Sequence, residues 1–225
     1  MVIYIAVSEP HTNCQITEKK IMLLKSTMLL FALSLSFALS AENFKLPPPQ
    51  REGGTGLFTV LDQRRSKRSY RTEPLTRQEL STLLWAGFGV TRANGRRTAP
   101  SAVNRQEFTL YALLEDGAYK YLPATNELEK VSDGDLRHLA AGNVTAPAYI
   151  LLVADLKRAA SPEYAAIDAG YISQNLYLAA TALELGSCAL GSFRRDEAGL
   201  AKLKAELKLA ESEKPILSQA VGKTK

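Results

Sequence analysis

The residues best suited to chemistry lie in a short basic run, R-R-S-K-R, at residues 64–68. The planar guanidinium of arginine donates paired hydrogen bonds to phosphate oxygens, and a neighbouring serine hydroxyl adds another donor. Four residues of the run are therefore candidates for holding a phosphate: Arg64, Arg65, Ser66 and Arg68. Basic residues at a helix end are more commonly solvated and interact favourably with the helix dipole, so the run alone does not establish a site.

A second segment, T-A-P-S-A-V-N-R-Q at residues 98–106, carries amide and hydroxyl groups but few charges. Small residues after a proline let the backbone lie close to a flat ring, and amide side chains can pair with a pyrimidine-like edge or a sugar hydroxyl. Its candidate contacts are Pro100, Ser101, Ala102 and Asn104. We call residues 100–106 the amide loop. From spacing alone, an ordinary polar loop before a strand is the better explanation.

A third segment, G-S-C-A-L-G-S at residues 186–192, has two glycines that allow a ligand to approach the backbone. Gly191 and Ser192 are its candidate contacts. No G-x-G-x-x-G follows a predicted strand, so a Rossmann dinucleotide site is not expected.

Nucleophiles and metal ligands are scarce beyond residue 40, where Cys188 and His138 are the only residues of their types. A Cys/His zinc cluster cannot be assembled from them, and we expect no metal site. The chemistry must then come from a bound organic cofactor. The candidate phosphate contacts of the basic run, together with a backbone segment that can lie against a flat ring, predict a site for flavin mononucleotide (FMN).

The first forty residues have the pattern of a secretory leader. Lys25 precedes the apolar run at residues 28–39, and Ala38-Leu39-Ser40 fits the small-residue cleavage pattern. Met22 gives a more typical signal start than Met1, and an uncleaved anchor or a buried helix is the alternative. We expect an exported, periplasmic protein if the leader is cleaved and a cytoplasmic one otherwise, with no stable membrane span in the mature chain.

The remaining chain divides into a linker and one domain. Residues 41–54 contain L-P-P-P and are predicted to be an extended linker, and residues 55–225 a single globular domain. The formal net charge of +5 is modest and spread along the chain, which argues against a nucleic-acid partner.

Helical and strand patterns alternate in this domain and predict an α+β layered fold. Thr76 and Glu79 match a capping box at the start of a helix, for which Gly87 is the expected left-handed stop. A hairpin is predicted at residues 107–122 with a turn at Asp116-Gly117. The other predicted elements are a short helix at 132–141, a buried strand at 147–154, a long central helix at 162–185, a strand or turn at 187–193, a surface helix at 196–209 and a last strand at 216–221.

Five features, in their order along the chain, resemble the nitroreductase family of FMN-dependent oxidoreductases. They are R-R-S-x-R, a capped leucine-rich helix followed by T-A-P-S-A-x-N, Asp168 and Q-N-L in a long helix, G-S-C-A-L-G-S-F, and a terminal V-G-K. The resemblance runs from about residue 61 to residue 223. The insertion at residues 91–97 and the phrase G-A-Y-K-Y-L-P-A-T-N-E-L look most similar to the azoline-forming, thiazole-oxidase type of peptide dehydrogenase.

The resemblance implies a mostly antiparallel central sheet flanked by helices and an intertwined homodimer with one FMN at each of two interface sites. By position, Arg64 and Ser66 would hold the phosphate, Arg65 would lie along the pyrimidine side, and Arg68 would be the catalytic cation near N1 and the C2 carbonyl. The second subunit would supply Pro100, Ser101, Ala102 and Asn104. Backbone amides of Gly191 and Ser192 would face N5 and O4, and Lys223 would add charge at the phosphate.

The implied activity is hydride transfer from NAD(P)H through flavin N5 to a small organic acceptor such as a nitroaromatic or a quinone. One alternative is oxidation of an azoline ring in a modified peptide, which needs a wider cleft and a partner protein. Another is a flavin-binding protein without NAD(P)H turnover, favoured if export separates it from nicotinamide.

Overall fold

The computed structural model describes residues 43–225, which form one seven-stranded sheet. The strands are β1 (Asn43–Lys45), β2 (Phe108–Leu114), β3 (Gly117–Leu122), β4 (Glu127–Ser132), β5 (Ala148–Asp155), β6 (Gly186–Leu190) and β7 (Glu213–Gly222). Their order across the sheet is β1-β4-β3-β2-β5-β7-β6, and every neighbouring pair is antiparallel. The predicted α+β class and antiparallel sheet are confirmed. The predicted leader lies outside the described residues.

Five α-helices accompany the sheet within the described residues. They are α1 (Leu57–Gln63), α2 (Arg77–Phe88), α3 (Arg137–Ala140), α4 (Pro162–Ala182) and α5 (Glu197–Glu206), with short 3-10 turns at Ala102–Asn104 and Ser192–Arg195. None of these helices is long and apolar enough to cross a membrane.

The helices cover both faces of the sheet, and the central strand β5 shows why. Its side chains alternate between two hydrophobic cores, as the period of two in a strand requires. Ile150 and Leu152 pack with residues of α2 and α4, whereas Leu151 and Val153 pack with Leu203 of α5. The continuous apolar run predicted as a buried strand is therefore a strand buried on both faces.

Helix α2 begins as predicted but ends differently. The Thr76 hydroxyl accepts a hydrogen bond from the Glu79 amide, and the Glu79 carboxylate accepts one from the Thr76 amide, so the capping box is present. Gly87 is not a left-handed stop, because it lies within the helix. A Cβ there would come within 2.9 Å of Leu176 of α4, so its role is the close approach of two helices.

The segment interpreted as a linker is partly built into the domain. Residues Asn43–Lys45 pair with β4, and Leu46 is buried. The Pro47 carbonyl accepts hydrogen bonds from the Ser81 hydroxyl and from the side-chain amide of Asn126. The linker interpretation is wrong for this stretch, because an extended proline-rich chain still offers carbonyl acceptors that a neighbouring helix and turn can use.

Two further differences concern the middle of the chain. Strand β4 was not predicted, and the helix expected at residues 132–141 is reduced to Arg137–Ala140 because Ser132 is the last residue of β4. Helix α4 begins where predicted and ends at Ala182, three residues earlier than expected, and its apolar residues divide between a buried face and an exposed one. Tyr164, Ile167 and Tyr171 are exposed on α4.

Candidate functional site

The basic run leaves α1 and lies along β6, the edge strand of the sheet. Ser66 forms a parallel bridge with Ser187, and the Lys67 amide donates to the Ser187 carbonyl over 2.9 Å. These contacts cover the free edge of β6 and fix the backbone of the run on a rigid element. The run is therefore positioned by the sheet and not merely solvated at a helix end.

Tyr177 of α4 ties the run and β6 together. Its hydroxyl accepts a hydrogen bond from the Ala189 amide over 2.8 Å and lies 3.0 Å from the Ser66 hydroxyl. The Arg64 guanidinium lies over the Tyr177 ring, 5.1 Å from its centre. Sequence reasoning missed this residue. The only signal for it is that a tyrosine on a helix that packs against the sheet needs a partner for its hydroxyl.

The arginines of the run keep their charges free of carboxylates. Arg65 donates to the Asp62 and Arg64 carbonyls, and Arg68 lies 3.4 Å from the Ser66 carbonyl oxygen. Within residues 43–225, neither these two nor Arg64 forms an ion pair. Guanidinium groups that lie beside a serine hydroxyl without competing acids suit the binding of a phosphate, and Arg65 and Arg68 are exposed while Arg64 is partly exposed.

Lys223 comes close to the run but has a partner of its own. The C-terminal chain pairs with the residues after the run, and the Lys223 carbonyl accepts from the Arg71 amide over 2.8 Å. Its ammonium group forms an ion pair with Glu73, which raises the pKa of Lys223 and lowers that of Glu73 through a direct hydrogen bond. To bind a phosphate, Lys223 would have to exchange Glu73 for the ligand.

Gly191 and Ser192 follow the same edge strand. They come directly after β6, at the entry to the 3-10 turn Ser192–Arg195. Gly191 is exposed and has a φ of −108°, which any residue adopts, so this glycine is not required by backbone conformation. These candidates therefore lie just beyond the end of the strand that pairs with Ser66.

The amide loop is held in a strained conformation. Val103, Asn104 and Gln106 have φ values of 53°, 54° and 48°, and Val103 is 83% exposed. A β-branched residue at positive φ is unusual and persists only where the surroundings impose it. Exposed strain of this kind is typical of backbone that is arranged to meet a ligand.

Hydrogen bonds account for the shape of the loop. The Ala102 amide donates to the buried Asp168 carboxyl group of α4 over 2.8 Å. The Gln106 amide donates to the Ser101 hydroxyl over 2.9 Å, and the Gln106 side chain donates to Asn104 Oδ1 over 3.1 Å. Three of the four predicted contact residues in the loop are thus fixed by this network.

A second buried acid lies beneath the loop. Glu107 is 2% exposed, and neither carboxyl oxygen has a hydrogen-bond partner among the described residues. Burial raises the pKa of Glu107, and the neighbouring Asp168 raises it further. A protonated Glu107 can donate to Asp168 and leaves no second charge buried beside it.

Helix α4 separates the amide loop from the basic run. Asp168, which holds the loop, and Tyr177, which holds the run, are nine residues apart, about 14 Å along the axis and about half a turn around it. The two sets of predicted contacts therefore lie on opposite sides of α4. A single chain brings Arg64, Ser66 and β6 together but does not place the amide loop among them.

The comparisons with known proteins agree with this fold. Residues 61–223 match the model of the nitroreductase family. A Methanocaldococcus jannaschii protein that is named as a candidate nitroreductase is 33% identical over 186 residues, which cover 74% of this chain and 90% of that protein. The chain therefore belongs to the nitroreductase family, and this membership supports an oxidoreductase.

Solved structures extend the comparison. A candidate nitroreductase from Ralstonia eutropha JMP134 is 33% identical with a TM-score of 0.75, and the match covers 83% of this chain and 91% of that one. A candidate nitroreductase from Desulfovibrio desulfuricans, solved in complex with FMN, is 22% identical with a TM-score of 0.56, covering 76% of this chain and 88% of that one. At this identity the second similarity shows the fold.

Proposed function

We propose that this protein is an FMN-dependent oxidoreductase that works as a homodimer, with each site built from the basic run of one subunit and the amide loop of the other. It would pass hydride from NAD(P)H through flavin N5 to a small organic acceptor, a nitroaromatic or a quinone. The observation that carries the proposal is the placement of the two sets of contacts on opposite sides of α4. One set holds the phosphate candidates together with Arg68, Gly191 and Ser192, and the other holds Pro100, Ser101, Ala102 and Asn104, so that neither set would surround a flavin by itself.

Exposed apolar side chains support pairing of two subunits. Large hydrophobic residues on α1 and α4 remain exposed in the single chain: Leu57, Phe58, Leu61, Tyr164, Ile167 and Tyr171. Phe58 alone is 85% exposed. Apolar surface of this extent marks a site of association, and α1 and α4 are the helices that carry the basic run and hold the amide loop.

The residues fit FMN by their chemistry. Arg64 and Ser66 would hold the phosphate, as arginines free of carboxylates and a fixed hydroxyl can. Arg65 would lie along the pyrimidine side, and the Gly191 and Ser192 amides would face N5 and O4. Pro100, Ser101, Ala102 and Asn104 of the partner subunit would contact the ribityl chain and ring, and Lys223 would reach the phosphate after releasing Glu73. The FMN complex of the Desulfovibrio desulfuricans protein supports this choice of cofactor.

Bound FMN supplies the hydride chemistry, and the chain supplies binding and charge. Arg68 would stabilise negative charge near N1 and the C2 carbonyl, where a fixed cation in a partly water-free cleft acts strongly. Tyr177 would keep Ser66 and the end of β6 in register, so that phosphate and ring contacts are held at a constant spacing. No histidine or cysteine takes part.

The experiment is to purify the protein, measure its flavin content and oligomeric state, and add NADH or NADPH without oxygen. A yellow dimer that bleaches supports the proposal, and a yellow protein that neither cofactor bleaches supports flavin binding without turnover. Colourless protein that fails to take up FMN contradicts both.

Azoline oxidation is the second candidate. The turn between β3 and β4, part of the phrase that resembles the azoline-forming branch, lines a cavity of about 370 Å³ with Arg92 and Trp85. A cavity beside this turn could accept a peptide ring. Bleaching of the oxidised protein by an azoline-containing peptide, without any nicotinamide, would favour this candidate.

Export remains part of the proposal. If the leader is cleaved after Ser40, the mature chain begins at Ala41 and works outside the cytoplasm. The intact mass of the protein from its native host decides this, since retention of residues 1–40 would exclude cleavage at that site.

A further inference from the structure

A cationic cavity lies beside the amide loop. It has a volume of about 360 Å³, and among its lining residues are Arg92, Arg96 and Arg97 on one side and Pro100, Ser101 and Asn104 on the other. The arginines belong to the insertion at residues 91–97. We call it the arginine cavity. Three of the residues predicted to contact the flavin thus form one wall of it.

The insertion is a built structure. Val90 pairs with Arg97, the Thr91 amide donates to the Arg96 carbonyl over 2.9 Å, and Gly95 turns the chain at a φ of +77°. Arg97 is fixed further: its Nε donates to the Gln106 side chain over 2.9 Å, and its guanidinium lies 5.3 Å from the Phe88 ring centre. The Arg97 cation and the backbone that carries Arg92 and Arg96 are therefore placed before any ligand arrives, which reduces the entropy lost on binding.

No acid neutralises these arginines. Within residues 43–225, none of the three forms an ion pair, and no carboxylate lines the cavity. Arg97 Nη1 is buried and has no hydrogen-bond acceptor among the described residues. Burial lowers the pKa of Arg97, and the charge of Arg158 lowers it further.

Another arginine of the same chain has the carboxylate partner that the arginines of the cavity lack. Arg137 places Nη2 2.7 Å from Asp135 Oδ2 and Nε 2.9 Å from Asp135 Oδ1, so its fork is filled by a carboxylate. A buried guanidinium donor without such a partner is destabilising unless a ligand fills it. The arginine cavity thus brings together three arginines without a carboxylate partner among the described residues, which suits an oxyanion.

We propose that the arginine cavity binds an anionic group, a phosphate or a carboxylate, on a substrate that reacts at the flavin. The proposal rests on the oxidoreductase function above and narrows its substrate class. Two sources carry this chemistry: the 2′-phosphate of NADPH, and an acidic group on the electron acceptor. No residue of the basic run lines the cavity, and its cations belong to the insertion at residues 91–97.

The test uses two double variants, Arg96→Gln with Arg97→Gln, and Arg92→Gln with Arg96→Gln, which spares Arg97 in case its loss impairs folding. Lys202→Gln with Lys208→Gln is the matched control, because it removes two charges from exposed positions at and just beyond α5. Flavin-loaded proteins are compared for kcat/KM with NADPH against NADH, and with 4-nitrobenzoate against nitrobenzene. Calorimetric titration with 2′,5′-ADP and with 4-nitrobenzoate measures binding without turnover.

We expect affinity for one anionic probe to fall about tenfold or more in both arginine variants, as the loss of charge-assisted hydrogen bonds requires. Neutral counterparts and the control should change less than about twofold. An effect confined to NADPH and 2′,5′-ADP assigns the cavity to the nucleotide, and one confined to 4-nitrobenzoate assigns it to the acceptor.

Three results would overturn the proposal: equal losses for anionic and neutral substrates, no loss in either variant, or a fall in flavin content as the main effect of the arginine substitutions. The titrations keep this test separate from the proposed function. If the protein proves inactive but wild type binds an anionic probe that the variants lose, the oxidoreductase proposal fails while the anion site stands. If wild type binds neither probe, the anion site fails by itself.

Discussion

The two regions that we assign to the flavin are built in different ways on the same helix. The basic run is fixed to β6 and to Tyr177 near the C-terminal end of α4, with ordinary backbone angles and free cations. The amide loop is fixed to Asp168 near the N-terminal end, with three residues at positive φ. The basic run is thus supported by the sheet, whereas the amide loop depends on a few hydrogen bonds around buried acids.

The largest effect should come from the cation assigned to the reacting ring. Arg68→Ala should slow flavin reduction by about 100-fold, the usual loss when a group that stabilises developing charge is removed. It should also weaken flavin retention. Arg105→Ala is the control, since that arginine lies in the amide loop but has no assigned contact. Stopped-flow bleaching and flavin content measure both, and equal effects of the two variants would remove the role given to Arg68.

The next largest effect should come from the support of the amide loop. Asp168→Ala leaves the Ala102 amide without its buried acceptor and should lower the free energy of unfolding by about 2 kcal/mol. Flavin affinity should fall as the loop loses its conformation. Glu163→Ala on the same helix is an exposed control and should change little. Denaturant unfolding and FMN titration are the measurements, and unchanged flavin affinity would show that the loop needs no such support.

A smaller effect is expected from the support of the basic run. Tyr177→Phe removes only the hydroxyl shared by Ser66 and the Ala189 amide, at a cost of about 1 kcal/mol in stability. Tyr171→Phe is the matched control on the exposed face of α4. Because the sheet still holds the run, FMN affinity should fall by less than in Asp168→Ala. A larger fall than in Asp168→Ala would reverse the comparison.

The smallest effect concerns pH. The raised pKa of Glu107 means that the folded state binds this proton more tightly than the unfolded state does. The stability that Glu107 contributes is therefore fully present below the ordinary pKa of a glutamate and is lost as the pH rises through the raised pKa. In Glu107→Gln, the stability of the fold should therefore fall less steeply as the pH rises above the ordinary pKa of a glutamate. Thermal unfolding at a series of pH values measures this. An unchanged slope would show that Glu107 does not titrate in this way.

Much of the fold could be predicted because its signals are local. The capping box at Thr76 and the apolar run of β5 each depend on neighbouring residues and are observed where expected. The predicted hairpin is present, but its turn is at residues 115–116, and Gly117 already belongs to β3. Strand β1 and the packing of residues 46–47 could not be predicted this way. They depend on pairing with β4 and α2, far along the chain, and a proline-rich sequence resembles a linker until its carbonyl partners are known.

The candidate site, like the fold, could be predicted only where its signals are local. Residue types identified the basic run and the amide loop, but nothing local indicated that α4 separates them. Tyr177 was missed because it acts through Ser66, which is 111 residues away along the chain. Arg97 was missed because its contact with Phe88 depends on how the insertion turns back on α2. Long-range contacts, and not residue types, decide which candidate groups can share a ligand.

The central claim, that each flavin is bound by two copies of the chain, can be tested with a mixed dimer. One subunit carries Arg64→Ala with Ser66→Ala, and the other carries Ser101→Trp with Asn104→Ala, each with its own affinity tag. Neither variant should retain FMN alone. The purified heterodimer combines one intact basic run with one intact amide loop, and we predict one FMN per dimer that NADH or NADPH reduces. A heterodimer without flavin, beside a wild-type dimer that binds two, would contradict the account.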